Sequence, residues 1–509
     1  LRQSGYLDAD KYKTSLPKEG AAVNKHWLKV TDIHSNIHTS TKIYYGIGGG
    51  VYAIKESAYA IFILLFYTQV LGLSGAVTGA IVAISLIWDG ISDPLIGSWS
   101  DRLRSRYGRR HPFMVYSTLP IAIGFVGLFA PPDSVVDSST LLACWLLFWS
   151  LWVRTFITAF TIPHLALSAE LTSDYHGRSQ LMAMRLGSMF LVGLLLPAVA
   201  LTMIFDSAGG IDGRFVPGNY PVYGVLCAGL AVGLSFISVM GTRHHTSCPD
   251  MSGEHYNLPR FRDFIDDIRQ TFRNRMFRTM LGFEVASAIG WGCYSTLNIL
   301  VATYVFEFSS DEVALILAVP GLLGVVLVGM TLKPLNKRWQ KPQLLRLAVW
   351  GMLFNSLWLL PLKLADMLPA NGSPLLLPLV LLSSTVFMFC FFLRAINAMS
   401  LVADITDQHE IEAGERKEGG FFAVMTFIVK IASLVGPLYG GIVLDLVGMT
   451  NKDLPGEVAE SALTGLIWAS LSIAILTLVI ALIYAYKFKF SKEQMEEIQT
   501  TLRAQRAAN

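Results

Sequence analysis

Of 509 residues, 53% are hydrophobic before the 43 glycines are counted, and mean hydropathy is +0.50. Only 15% are charged, against about 25% in soluble domains. That deficit excludes a disordered chain, a coiled coil and an ordinary cytosolic enzyme. With one span per about 20 apolar residues plus a short loop, around a dozen membrane spans fit. The formal net charge is only +3, so the placement of charge carries more information than its sum.

Apolar segments predict helices over 43–71, 76–100, 113–130, 141–168, 181–204 and 220–240. A second set falls over 280–305, 312–332, 344–361, 375–399, 421–444 and 462–486. The expected organisation is a tail over 1–42, a six-helix bundle over 43–240, a central loop over 241–279, a second bundle over 280–486 and a tail over 487–509. The first forty residues are polar and carry no apolar signal core. Within the central loop, Arg260, Arg262, Arg269, Arg273, Arg275 and Arg278 suggest an amphipathic helix on a cytosolic linker. His244, His245, Cys248 and His255 have no zinc-like spacing and read as a solvated loop. The five cysteines likewise show no disulfide framework.

Basic residues are unevenly distributed between the two sides. The 2–3 loop carries Arg102, Arg104, Arg106, Arg109 and Arg110, the 8–9 loop Lys333, Lys337, Arg338 and Lys341, and the 10–11 loop Arg416 and Lys417. On the other side are only Arg214, Lys363 and Lys452. The positive-inside rule then places both termini and the central loop in the cytosol. Equivalent basic loops in two six-helix halves indicate parallel repeats, the architecture of secondary transporters with a midplane site. No phosphate loop or nucleotide domain is evident, which argues against a primary pump.

Nine ionisable residues lie within apolar segments: Lys55, Glu56, Asp89, Asp93, Arg154, Arg185, Glu284, Arg394 and Lys430. Each costs roughly 2.5–3.5 kcal/mol at the centre of a lipid-facing helix. Nine unpaired would cost on the order of 20–30 kcal/mol, more than a domain's whole stability. They must therefore face a cavity, pair, or both. Asp89 and Asp93, four residues apart, share one helix face. Two anions in low dielectric repel, so a proton or a cation is expected between them. Two carboxylates and a hydroxyl suit sodium, and Lys430 could neutralise them in its absence. The competing reading is a permanent salt bridge joining the halves.

The run Ile87-Trp88-Asp89-Gly90-Ile91-Ser92-Asp93-Pro94-Leu95-Ile96-Gly97 resembles the helix-2 signature of glycoside–pentoside–hexuronide:cation symporters of the major facilitator superfamily. The resemblance continues through Asp101-Arg102, Ser105 to Pro112, and Pro163 to Tyr175. Helix 1 fits through Tyr45-Gly46 and Tyr67-Thr68, and the second half through Ala403-Asp404, Asp407, Glu410, Gly414, Arg416 and Glu418-Gly419. The resemblance implies an all-α major facilitator fold of twelve transmembrane helices in two six-helix pseudo-repeats, with no enzymatic activity. It implies a cation site at Asp89, Asp93, Thr158 and Lys430, with Asp89, Asp93 and Thr158 as ligands if the ion is sodium rather than a proton. A cavity arginine of the family matches Arg185.

The family's two sugar-binding acids fall at Ala53 and Thr161. Losing both removes strong acceptors for neutral galactosides, whereas Lys55, Arg154, Arg185 and Arg394 outnumber Glu56 and Glu284. The expected solute is therefore a glycoside or uronate. Its candidate contacts are Lys55, Glu56, Arg154, Thr161, Arg185, Glu284, Trp291 and Arg394. Trp149, Trp152 and Trp291 could stack on sugars, but packing or interfacial anchoring is the plainer reading. Lys55, Arg154 and Arg394 could alternatively be partners of Glu56 and Glu284. Asp101, Arg102, Asp404 and Arg416 are expected to gate the cytosolic end. No cofactor is expected beyond a coupling sodium or proton, and no partner beyond solute, cation and lipid. A monomer in the plasma membrane, the inner membrane of a bacterium, is expected. A lysolipid or other amphiphile symporter is the alternative, followed by a transporter-shaped receptor without flux.

Overall fold

The computed structural model describes residues 38–103, 105, 107–172, 174–206, 212–243, 272, 274–413, 418–449, 454–488 and 500. Within these, twelve helices are long and apolar enough to span a bilayer. In the first half they are α1 (Thr39–Val70), α2 (Gly75–Arg102), α3 (His111–Phe129), α4 (Ser139–Leu171), α5 (Gly177–Met203) and α6 (Asn219–Thr242). In the second they are α7 (Arg275–Val305), α8 (Ser310–Arg338), α9 (Lys341–Leu364), α10 (Leu376–Gln408), α11 (Val424–Val447) and α12 (Glu460–Tyr486). No strand occurs among the described residues.

Local chemistry explains many of the helix starts. Ser74, Ser138, Asp174 and Asn274 each accept a backbone N–H at the start of α2, α4, α5 and α7. Ser309 and Glu312 form a capping box on α8. All twelve expected spans are present, but α10 and α8 run past their expected ends at 399 and 332, and the amphipathic helix expected in the central loop falls mostly outside the described residues. The α10 helix continues through Asp404, whose carboxylate holds Lys341 at 2.6 Å. In α8 the last turn carries Lys337 and Arg338, a favourable end for the helix dipole. α1 and α7, the first helix of each half, both finish in wide π-type turns, over 58–63 and 65–70 in α1 and 301–305 in α7.

The halves meet mainly through α2 against α11 and α5 against α8, with a smaller contact of α1 on α7. The end opposite the basic 2–3 loop is fastened shut. There the Asp445 carboxylate of α11 accepts from Ser74 Oγ at 2.7 Å and from the N–H groups of Gly75 and Ala76 at 2.8 Å. The backbones cross so closely that a Cβ on Gly441 would collide with the Gly75 carbonyl oxygen. Fully buried Arg214 reaches Thr303 Oγ1 and the Phe308 carbonyl, both at 2.6 Å. Ser310 Oγ donates to Asp212 at 2.9 Å, and Tyr304 OH to Gln69 Oε1 at 3.0 Å. At the basic-loop end, the ion pairs among the described residues stay within one half.

Candidate functional site

A cavity of about 490 Å³ lies between the halves, on the basic-loop side of that seal. It is lined from α1, α2, α4, α5, α7, α10 and α11. Ten of the residues expected from sequence line it: Lys55, Asp89, Asp93, Thr158, Thr161, Arg185, Glu284, Trp291, Arg394 and Lys430. Glu56 and Arg154 do not line it. Glu56 sits beside Lys55 (3.1 Å) with its side chain 53% exposed, and Arg154 is buried behind Asp89. Ala53 is buried, its Cβ turned to the α5 backbone at Gly193. Pro94, inside α2, cannot donate the bond to the Gly90 carbonyl, which loosens the helix beside Asp93.

The pairing is specific. Asp89 Oδ2 lies 2.6 Å from Arg154 Nη1, 3.2 Å from Lys55 Nζ and 3.6 Å from Lys430 Nζ. Asp93 Oδ2 accepts from Lys430 Nζ at 2.7 Å, and Thr158 Oγ1 donates to Asp93 Oδ1 at 3.0 Å. Thus Lys430, from the second half, bridges to the first, as its position on α11 suggested. Arg394 reaches Glu284 at 3.4 Å, the alternative partnership anticipated for it, and also lies over Phe391 and Phe283. Lys55 has Glu56 as expected, but Asp89 as well. The anticipated partner of Arg154 was Glu56 or Glu284, and its ion pair is instead with Asp89.

Arg185 differs from the other lining cations. It makes no ion pair or hydrogen bond among the described residues, and its Nε is buried without an acceptor. Four cations (Lys55, Arg185, Arg394, Lys430) face three carboxylates (Asp89, Asp93, Glu284) across this cavity. Trp291 forms part of the wall and stacks on Phe391 at 4.2 Å. Trp149 and Trp152 pack on α3 instead, the latter donating to the Pro120 carbonyl. A second, mostly apolar cavity of about 150 Å³ lies inside the second half and shares Trp291, Phe391 and Arg394 with the first.

At the basic-loop end, Asp101 pairs with Arg110, and Glu170 takes Arg109 at 3.0 Å and Arg110 at 3.1 Å. Arg102 is exposed and outside this network. Asp404 pairs with Lys341; Arg416 and the central-loop arginines other than Arg275 and Arg278 lie outside the described residues, as do His244, His245, Cys248 and His255. Sequence reasoning missed Asp445, one residue past the expected end of α11, although an acid in an apolar run was the available signal. It also missed Tyr52, whose ring underlies Lys55 Nζ at 4.4 Å. No cluster of three or more histidine, cysteine or acidic ligands occurs among the described residues.

Twelve apolar helices in two halves around a polar, charged cavity between them define a secondary transporter. Residues 44–492 match the family model described as MFS/sugar transport protein. The chain belongs to that family, the major facilitator glycoside–pentoside–hexuronide:cation symporters, which are integral membrane transporters and not enzymes. It is 24% identical to an uncharacterized symporter of Synechocystis, over 93% of this chain and 98% of that one. It is 22% identical to an isoprimeverose transporter of Lactiplantibacillus pentosus, over 85% of each. Its fold matches the crystal structure of a D-xylose–proton symporter with a TM-score of 0.60, at 14% identity over 88% of this chain and 97% of that one.

Proposed function

We propose that this protein carries an acidic sugar derivative, a uronate or similarly anionic glycoside, in symport with a cation by alternating access. One observation carries the solute class: Arg185, an intramembrane cation on the cavity wall, has no acceptor of its own among the described residues. An unpaired charge in low dielectric is costly, and an anionic solute supplies the missing counter-ion. Charge-assisted hydrogen bonds to a carboxylate suit a guanidinium. Thr161, Lys430 and the Trp291 face complete a wall that can hold hydroxyls and a sugar ring. The absence of acids at Ala53 and Thr161 supports the same choice.

The cluster of Asp89, Asp93, Thr158 and Lys430 is the coupling site in this reading, because the Lys430–Asp93 bond links the halves that must rock apart. The excess of basic residues on one side orients both termini and the central loop to the cytosol. The seal at Asp445 and Arg214 then closes the outer end, and the cavity belongs to an inward-facing state. In a bacterium the membrane is the inner one.

The second, apolar cavity beside Trp291 favours one rival: an amphiphile with its headgroup at Arg394 and its tail within the second half. Thermal-shift competition with matched neutral glycosides, uronic glycosides and lysophospholipids tests both. The uronic member is expected to stabilise most. Equal or better stabilisation by the neutral member defeats the anionic reading, and a preference for the lysolipid selects the rival.

A further inference from the structure

Asp89 and Asp93 look equivalent in sequence, one turn apart on α2, but their surroundings differ. Asp89 is 1% exposed, and Lys55 and Arg154, each 2% exposed, are held against the same carboxylate oxygen. Both cations come from the same half as Asp89, on α1 and α4. They need not separate from it when the halves move. Asp93 is 30% exposed, and its charged partner Lys430 comes from the other half.

A sodium ion requires a shell of free oxygens around it, as hard cations do. Of the four carboxylate oxygens of this pair, three are taken, by Arg154 with Lys55, by Thr158 and by Lys430. Only Asp89 Oδ1 lacks a hydrogen bond. One oxygen is no cage. Charge points the same way. Lys55, Arg154 and Lys430 balance Asp89, Asp93 and Glu56, so the cluster is neutral as built. An added ion would be repelled by these three cations as strongly as the three carboxylates attract it, so no net attraction offsets the loss of its hydration shell. The residues present do not fit sodium.

We infer that Lys55 and Arg154 are fixed counter-ions of Asp89, a tethered cation where a two-carboxylate cage would hold a mobile one. They thereby exclude sodium and set the ion selectivity of the site. The inference rests on reading this cluster as the coupling site. Lys55 and Arg154 act here as selectivity-determining residues, through Asp89.

Equilibrium binding of radiolabelled sodium to the purified full chain, with choline chloride holding ionic strength, tests this without any solute. The wild-type protein is expected to show no saturable binding. The double variant Lys55→Ala/Arg154→Ala is expected to gain it, and adding Asp89→Asn is expected to abolish it again. Saturable binding by the wild type overturns the inference, as does a folded double variant that binds none. The wild-type arm can overturn the inference even if the double variant fails to fold. Failure of the symport reading is distinguishable, because it appears as an absence of solute uptake under every imposed ion gradient.

Discussion

At the level of single residues, solute binding and stability depend on which charges have partners. Arg185→Gln removes the lining cation that has no acceptor among the described residues. A hydrogen bond to a charged group contributes about 1.5–3 kcal/mol, so uronic glycosides are expected to bind about 10- to 100-fold more weakly. Neutral homologues should change little, and titration calorimetry with the matched pair reads the difference. Asp89→Asn is expected to act differently, on stability. It leaves buried Lys55 and Arg154 short of a carboxylate, and breaking a buried pair costs about 3–5 kcal/mol. A lowered melting temperature in detergent checks this, and an unchanged one would mean that the cluster is less buried than described. The spacing of Asp89 and Asp93, and the need of nine intramembrane charges for partners, were readable from sequence. That Lys55 and Arg154 converge on one oxygen of Asp89 was not. Those contacts span 34 and 65 positions, and side-chain periodicity is silent about which helices become neighbours.

Among the elements, hydropathy located all twelve helices because a bilayer demands long apolar runs with every backbone group bonded internally. It stopped short at helix ends where charge is set among apolar residues, as in α10 beyond 399, where Leu401, Val402 and Ile405 are buried and the Asp404 carboxylate pairs with Lys341. The seal at the end opposite the basic 2–3 loop is the least expected feature among the elements. Burial tends to raise the Asp212 carboxyl, but the hydrogen bonds and charge of Arg214 outweigh it and hold the group below its ordinary value. A depressed carboxyl contributes stability that is complete above the unfolded range near ~4 and is lost as pH falls through the folded value. The seal is therefore expected to loosen only in acid, below about pH 4. Arg214→Gln should loosen it at neutral pH. Labelling of a Leu71→Cys reporter by an impermeant thiol reagent, added from the sealed side, should then be faster than in the Arg214 parent. Equal labelling rates would show that the Asp445 contacts close this end unaided.

For the whole molecule, the proposed alternating access requires that two links between the halves, Lys430–Asp93 at the site and the seal at one end, be made and broken in turn. Linkage requires that a cation favouring solute binding be favoured equally by the solute. Transport of an acidic glycoside by way of Arg185 is the proposed function of the cavity. Its most direct test is uptake into proteoliposomes of a radiolabelled uronic glycoside beside its neutral homologue, with an imposed cation gradient. Accumulation of the uronic compound above equilibrium is expected of the wild type, and loss of that accumulation is expected of Arg185→Gln. Accumulation of the neutral compound to the same extent, or undiminished uronate uptake by Arg185→Gln, would contradict it.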